Sequence, residues 1–193
     1  MKRFSTIQEL LAAGRGEDIA FAASGVPPLT YDGLRAHVER TVAGLNRLGI
    51  GRNDRVALVL PNGTEMATAF VAVAAGTTSA PLNPAYRADE LEFYLSDLKA
   101  KALVVERGSA SPALGAAAKL KIPVIEMVRA STDPAGVFEL IPVEDGKTAA
   151  VPTSGGLAGP DDVALVLHTS GTTSRPKIVP LSQRNVCASA GHI

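Results

Sequence analysis

Apolar positions along this chain fall into short continuous runs separated by helical stripes. Ile7, Leu10 and Leu11 mark an amphipathic helix near the N-terminus. An apolar run at 19–23, a turn at 25–28 and a second run at 29–31 predict a hairpin. Leu34, Val38, Val42, Leu45 and Leu48 then recur every three or four residues, the stripe of a longer helix. Thr30 is its expected N-cap, Asp32 suits its positive end, and Gly49 and Gly51 close it. Runs at 55–60, 79–82, 102–105 and 123–127 read as strands. Between them, an alanine-rich stretch at 65–75, a face through Leu91, Tyr94, Leu95 and Leu98, and a segment at 112–120 read as helices. This alternation implies right-handed crossovers, so the expected fold class is α/β, a mainly parallel sheet with flanking helices. From 133 to 162 the pattern weakens, and VPTSGGLAGPDD has the composition of a mobile connector.

The pattern sharpens again at 163–181, VALVLHTSGTTSRPKIVPL. Residues 163–167 are unbroken apolar, as in a strand buried on both faces, and a second strand is expected at 177–181. The residues between them are too polar and small-sided for a core. Such a loop suits a polyphosphate: small side chains admit an anion to the backbone, and Gly171 can turn successive N–H groups inward. Thr169, Thr172, Thr173 and either Ser170 or Ser174 offer hydroxyls, Lys177 a mobile positive charge, and Pro176 a stiff approach to it. Most Ser/Thr/Gly clusters are plain surface loops. The flanking apolar strands and the fixed offset of Lys177 favour the anion site here. It is not a Walker loop, because no second glycine precedes Lys177 and Ile178 follows it in place of Ser or Thr. Nothing apolar pins this loop, so it is expected to move when no ligand is bound.

Composition narrows the alternatives. With 193 residues the chain can bury a core of one domain, or one and a fraction. Lys+Arg and Asp+Glu both number 19, so no net field draws it to nucleic acid or an anionic membrane. Only 4% of residues are aromatic and none is Trp, which disfavours a stacking platform for single strands. No apolar stretch is long enough to span a bilayer, and the first residues do not read as a signal peptide. Cys187 is the single cysteine, so no disulfide framework is possible within the chain; a reducing, cytoplasmic setting fits, with Cys187 as a buried thiol. Three histidines, widely separated, assemble neither a metal site nor a Ser-His-Asp constellation. His37 falls on the polar side of its helix and is read as solvated. His168, at a strand tip, is open between contact with a bound nucleotide or substrate and simple packing or a backbone hydrogen bond.

S-G-T-T-x-x-P-K after an apolar strand resembles the phosphate-loop signature of the adenylate-forming superfamily of acyl-CoA synthetases, luciferases and peptide-synthetase adenylation domains. The likeness extends upstream: Asp54–Arg55–Val56, then Pro61–Asn62, a small-residue helix, and Pro81–Leu82–Asn83–Pro84 follow the pattern of acyl-CoA synthetases. HTSGTTSRPK together with ELEFYLSDLKAK is most similar to the oxalate–CoA ligase branch. Two positions depart: Ser174 stands where most members carry Gly, and Ile178 replaces the Gly that usually follows the loop lysine. A β-branched residue does not adopt the positive φ open to Gly, so the strand after the loop is expected to be more regular, or the loop displaced.

The resemblance implies a two-step reaction. A small carboxylic acid attacks the α-phosphate of Mg2+-ATP, pyrophosphate leaves, and CoA displaces AMP from the acyl-adenylate. Thr169, Ser170, Gly171, Thr172, Thr173 and Lys177 would hold the β- and γ-phosphates, with Lys177 as the catalytic, charge-stabilising contributor. In the family the adenine pocket, the magnesium-binding glutamate, the hinge and the C-terminal lysine come later than residue 193. Residues 1–193 are therefore expected to be the N-terminal portion of an AMP-binding domain without its C-terminal domain, from a truncated chain or a cut gene product, and inactive alone. A non-catalytic nucleotide-binding or scaffold module is the competing expectation.

Overall fold

The computed structural model describes residues 4–143, 151–169 and 176–191. The chain opens with α1 (Ile7–Ala12), capped by Thr6, whose hydroxyl accepts from the Glu9 N–H. β1 (Ile19–Phe21) and β2 (Leu29–Thr30) form the expected antiparallel hairpin. α2 (Tyr31–Arg47) starts where the Thr30 hydroxyl accepts from the Gly33 N–H, with Asp32 in its first turn. It stops before Gly49, whose φ of 74° closes the helix at no steric cost. β3 (Arg55–Val59), α3 (Thr64–Ala74), β4 (Thr78–Pro81), α4 (Ala88–Leu98), β5 (Ala102–Glu106), α5 (Ala113–Leu120) and β6 (Val124–Val128) then alternate. β7 (Glu139–Pro142), β8 (Val163–His168), β9 (Ile178–Ser182) and α6 (Gln183–Ala190) complete the described residues.

Seven strands form one sheet in the order β7-β6-β5-β3-β4-β8-β9. β6, β5, β3, β4 and β8 run parallel, and the edges β7 and β9 pair antiparallel with β6 and β8. Alternate residues of the central strands feed two apolar layers, as the strand period of two requires. Ala57, Val59, Leu103 and Val105 meet Leu91, Leu95 and Leu98 of α4 and Ala113, Ala116 and Ala117 of α5. Val56, Leu58, Ala102 and Val104 face Leu45 of α2 with Ala69 and Val73 of α3. The alanine-rich α3 lets α2 approach closely. At Gly76, just past α3, a Cβ would stand 2.5 Å from Val42.

Three expectations need correction. The strand at 163–168 is not buried on both faces: Ala164 and Val166 are buried, but Leu167 is 41% exposed, so the strand tip is covered on one side only. The weak segment 133–162 contains β7, and its stretch 151–162 is docked. The Ser154 carbonyl accepts from the Arg52 N–H (2.7 Å), the Asn46 side-chain oxygen from Gly156 N–H (2.6 Å), and the Ala75 carbonyl from Ala158 N–H (2.7 Å). His37 is not solvated. It is 1% exposed, because the chain returning after β6 lays Phe138 edge-on against its ring at 4.4 Å, covering a helix face that periodicity gives to water.

Candidate functional site

The loop singled out by composition spans β8 and β9 at the sheet edge. Their ladder runs from Val163 with Ser182 to His168 with Ile178, so the two strands form a hairpin rather than a crossover. One step beyond, the Thr169 N–H donates to the Lys177 carbonyl (3.0 Å) and the Lys177 N–H donates back to the Thr169 hydroxyl (3.3 Å). Thr169 and Lys177 are thus brought together at the root, both exposed. Ser170, Gly171, Thr172 and Thr173, the other candidate phosphate ligands, lie outside the described residues, as does the expected motion of the loop. Ile178 sits in the regular ladder opposite His168, as its β-branch requires; a glycine there would give up that packing.

His168 is packed, and its hydrogen bond is to a side chain rather than to the backbone. Its side chain is 7% exposed and its Nε2 lies 3.1 Å from Asp97 Oδ2. An ionised carboxylate can only accept, so Nε2 carries the hydrogen. The imidazole also stands edge-on to Tyr94 at 4.7 Å, and Tyr94 stacks on Tyr86 at 4.9 Å. Asp97 and Tyr86 were not legible as site residues. The i,i+3 spacing of Tyr94 and Asp97 on α4 is the one local signal that they share a face.

At the other end of the hairpin, β9 runs directly into α6. Ser182 caps it, accepting from the Asn185 N–H, while the Asn185 side-chain oxygen accepts from the Ser182 N–H. Gln183, buried, accepts from the Ile7 N–H (3.0 Å) and donates to the Ala74 carbonyl (2.6 Å), tying α6 to α1 and α3. Cys187 is buried as expected, and burial pushes its thiol above the usual range, which suits an inert packing role.

A concavity of about 330 Å³ opens beyond the C-terminal ends of β3, β5 and β6, between Asn62, Glu65, Met66, Arg107, Met127 and Arg129. Both of its arginines are paired: Arg129 donates to Glu65 (2.9 Å) and Arg107 to Glu126 (2.9 Å), while Glu106 also lines it. Burial alone would push Glu65 up, but a backbone N–H, Arg129 and Thr64 outweigh it and hold the carboxyl below its ordinary value. Among the described residues no group of three or more His, Cys, Asp or Glu side chains could hold a metal ion. No helix among them is long and apolar enough to cross a membrane.

The chain is thus an α/β domain, a mainly parallel sheet covered on both faces, with a hydroxyl-rich loop at the carboxyl end of β8. Residues 9–193 match the family described as AMP-binding enzyme, and the chain belongs to that family. It is 43% identical over 176 residues to the oxalate–CoA ligase of Arabidopsis thaliana, an alignment covering 90% of this chain and 34% of that protein. It is 33% identical over 168 residues to the long-chain-fatty-acid–CoA ligase FadD13 of Mycobacterium tuberculosis, covering 84% of this chain and 31% of that one. Apo MatB from Rhodopseudomonas palustris shares the fold, with a TM-score of 0.72 at 24% identity over 96% of this chain and 36% of MatB. The chain therefore spans about a third of the length of the relatives it matches.

Proposed function

We propose that this chain is the N-terminal portion of the AMP-binding domain of an ATP-dependent carboxylate–CoA ligase, and that its β8–β9 loop holds the β- and γ-phosphates of ATP. The observation that carries the reading is the root geometry. Thr169 and Lys177 are clasped by two hydrogen bonds, with TSGTTSRPK between the strands, inside a chain of the AMP-binding family. Lys177 is exposed, so its ammonium is free to meet an anion rather than spent in the core. In this reading the loop fixes the leaving pyrophosphate in line and offsets the charge that develops on it. Magnesium enters with ATP as part of the substrate, and CoA takes the acyl group in the second step. A reducing, cytoplasmic setting accords with the lone buried Cys187.

For the acid we propose oxalate, supported by the greater identity to a ligase named for oxalate than to one named for long-chain fatty acids. The 193-residue chain alone is expected to turn nothing over, since it covers a third of its relatives. One experiment tests the set: exchange of labelled pyrophosphate into ATP by the chain extended to its relatives' length, with oxalate or palmitate as the acid. Oxalate-dependent exchange is expected, and Lys177→Ala should lower kcat/KM for ATP by roughly 10- to 150-fold, the worth of a charge-assisted hydrogen bond. Lys177→Arg should recover part of the loss, because a planar fork replaces a compact ammonium poorly. An unchanged kcat/KM in Lys177→Ala removes the phosphate role, and exchange with palmitate but not oxalate removes the acid assignment.

A further inference from the structure

We propose that Asp97 is a positioning residue for the phosphate loop: acting through His168, it fixes Thr169 and Lys177 relative to the body of the domain. This rests on the phosphate-holding reading above and adds the device that keeps the loop's root in place. The need for one follows from the sheet. β9 is an edge strand whose hydrogen-bonded neighbour is β8. β8 in turn registers with β4 at a single pair, Ser79 with Leu165. Among the described residues no register pair joins Leu167 or His168 to β4, so the last two residues before the loop are registered with β9 alone. Leu167 faces outward and holds nothing down.

What remains at the tip is side-chain contact with α4. Val166 packs in the core layer built on Leu91 and Leu95. His168, adjoining Thr169 in sequence, donates from Nε2 to Asp97 Oδ2 at 3.1 Å. Its ring is held edge-on by Tyr94, which is backed by the stacked ring of Tyr86 from the loop after β4. The imidazole side chain is nearly enclosed while that of Asp97 is 40% exposed, so the ring is locked between the hydrogen bond and the aromatic contact. A rigid ring one residue from the loop converts the position of α4 into the position of Thr169. The two hydrogen bonds between Thr169 and Lys177 carry that placement to the lysine. Asp97 touches no substrate in this scheme; it acts through another residue.

The test uses the 193-residue chain with inorganic tripolyphosphate as the probe. It combines calorimetric affinity with amide hydrogen exchange at Thr169, Lys177 and the core residues Leu103 and Val104. In Asp97→Ala, exchange at Thr169 and Lys177 is expected to quicken about tenfold while Leu103 and Val104 hold theirs, and affinity for tripolyphosphate to fall about 5- to 10-fold. Asp97→Asn, which keeps an acceptor oxygen, should restore most of both. Lys177→Ala should weaken binding without changing exchange at Thr169, separating the phosphate contact from the anchor. Unchanged exchange at the root in Asp97→Ala overturns the proposal. So does a rise shared by Leu103 and Val104, which would mean a loss of overall stability, or quickened root exchange with undiminished affinity. A native chain that binds no tripolyphosphate, but whose root loosens in Asp97→Ala, overturns the phosphate reading and leaves the anchor standing.

Discussion

His37 should make the fold acid-sensitive within a defined pH window. The residue is 1% exposed, its Nε2 has no hydrogen-bond partner among the described residues, and Phe138 covers its ring. Burial, reinforced by Arg40 and only partly opposed by Asp133, pushes its pKa down from 6.5 to about 4. A histidine depressed in the folded state is protonated more readily by the unfolded chain, so stability falls as pH drops from about 6.5 and levels off below about 4. The gap between those values sets a ceiling of roughly 3 kcal/mol. At pH 5 an ordinary imidazole is almost wholly charged while His37 is about one-tenth charged, a loss of about 2 kcal/mol relative to neutral pH. For a domain of marginal stability that is a large fraction of the total. Urea unfolding at pH 7 and pH 5, on the native chain and on His37→Leu, isolates the term. Leucine fills a similar volume, lies against Phe138 and removes the unpartnered nitrogen, so the variant should stay within about 1.5 kcal/mol of native at pH 7. It should then lose about 2 kcal/mol less than the native chain on acidification. Equal losses in the two proteins would show that His37 titrates normally and that its burial has no energetic consequence.

The difference between Thr30 and His37 shows which parts of this fold can be read in advance. Thr30, Gly49 and the stripe from Leu34 to Leu45 act within a few residues of themselves, and each formed where the pattern put it. His37 sits on the same helix, but its environment is made by Phe138 about a hundred residues later, and helix periodicity carries no information about a returning segment. β7 escaped for a related reason: its four residues end in a proline and gain their order by pairing with β6. The site divides likewise. A run of small hydroxyl residues closed by Pro176 and Lys177 suggests an anion loop from local composition, whereas the clasp of Thr169 to Lys177 appears only in the fold. The tether beneath it joins His168 to a residue 71 positions away, and neither partner is unusual in its own neighbourhood.

Lys121 closes α5 with a φ of 56°, a conformation that costs a residue with a Cβ about 1 kcal/mol. Because it is exposed, Lys121→Gly should raise urea stability by ~0.5–1 kcal/mol, and no gain would mean the turn relaxes at little cost. Gln183 should behave oppositely. Its oxygen accepts from the Ile7 N–H and its nitrogen donates to the Ala74 carbonyl, both in buried surroundings, so one side chain ties the first helix to the last. Gln183→Ala abandons both backbone groups where water does not reach, and should cost ~2–4 kcal/mol in urea unfolding. Gln183→Glu separates the two bonds: a carboxylate still accepts from Ile7 but cannot donate to Ala74, and it places a charge in an apolar site. The glutamate variant should therefore be as unstable as the alanine one at pH 7 and recover as the pH falls and its carboxyl takes up a proton, since the protonated group can donate again. If Gln183→Glu shows no such recovery, or Gln183→Ala loses less than about 0.5 kcal/mol, then α6 is held by its apolar contacts and the glutamine is incidental.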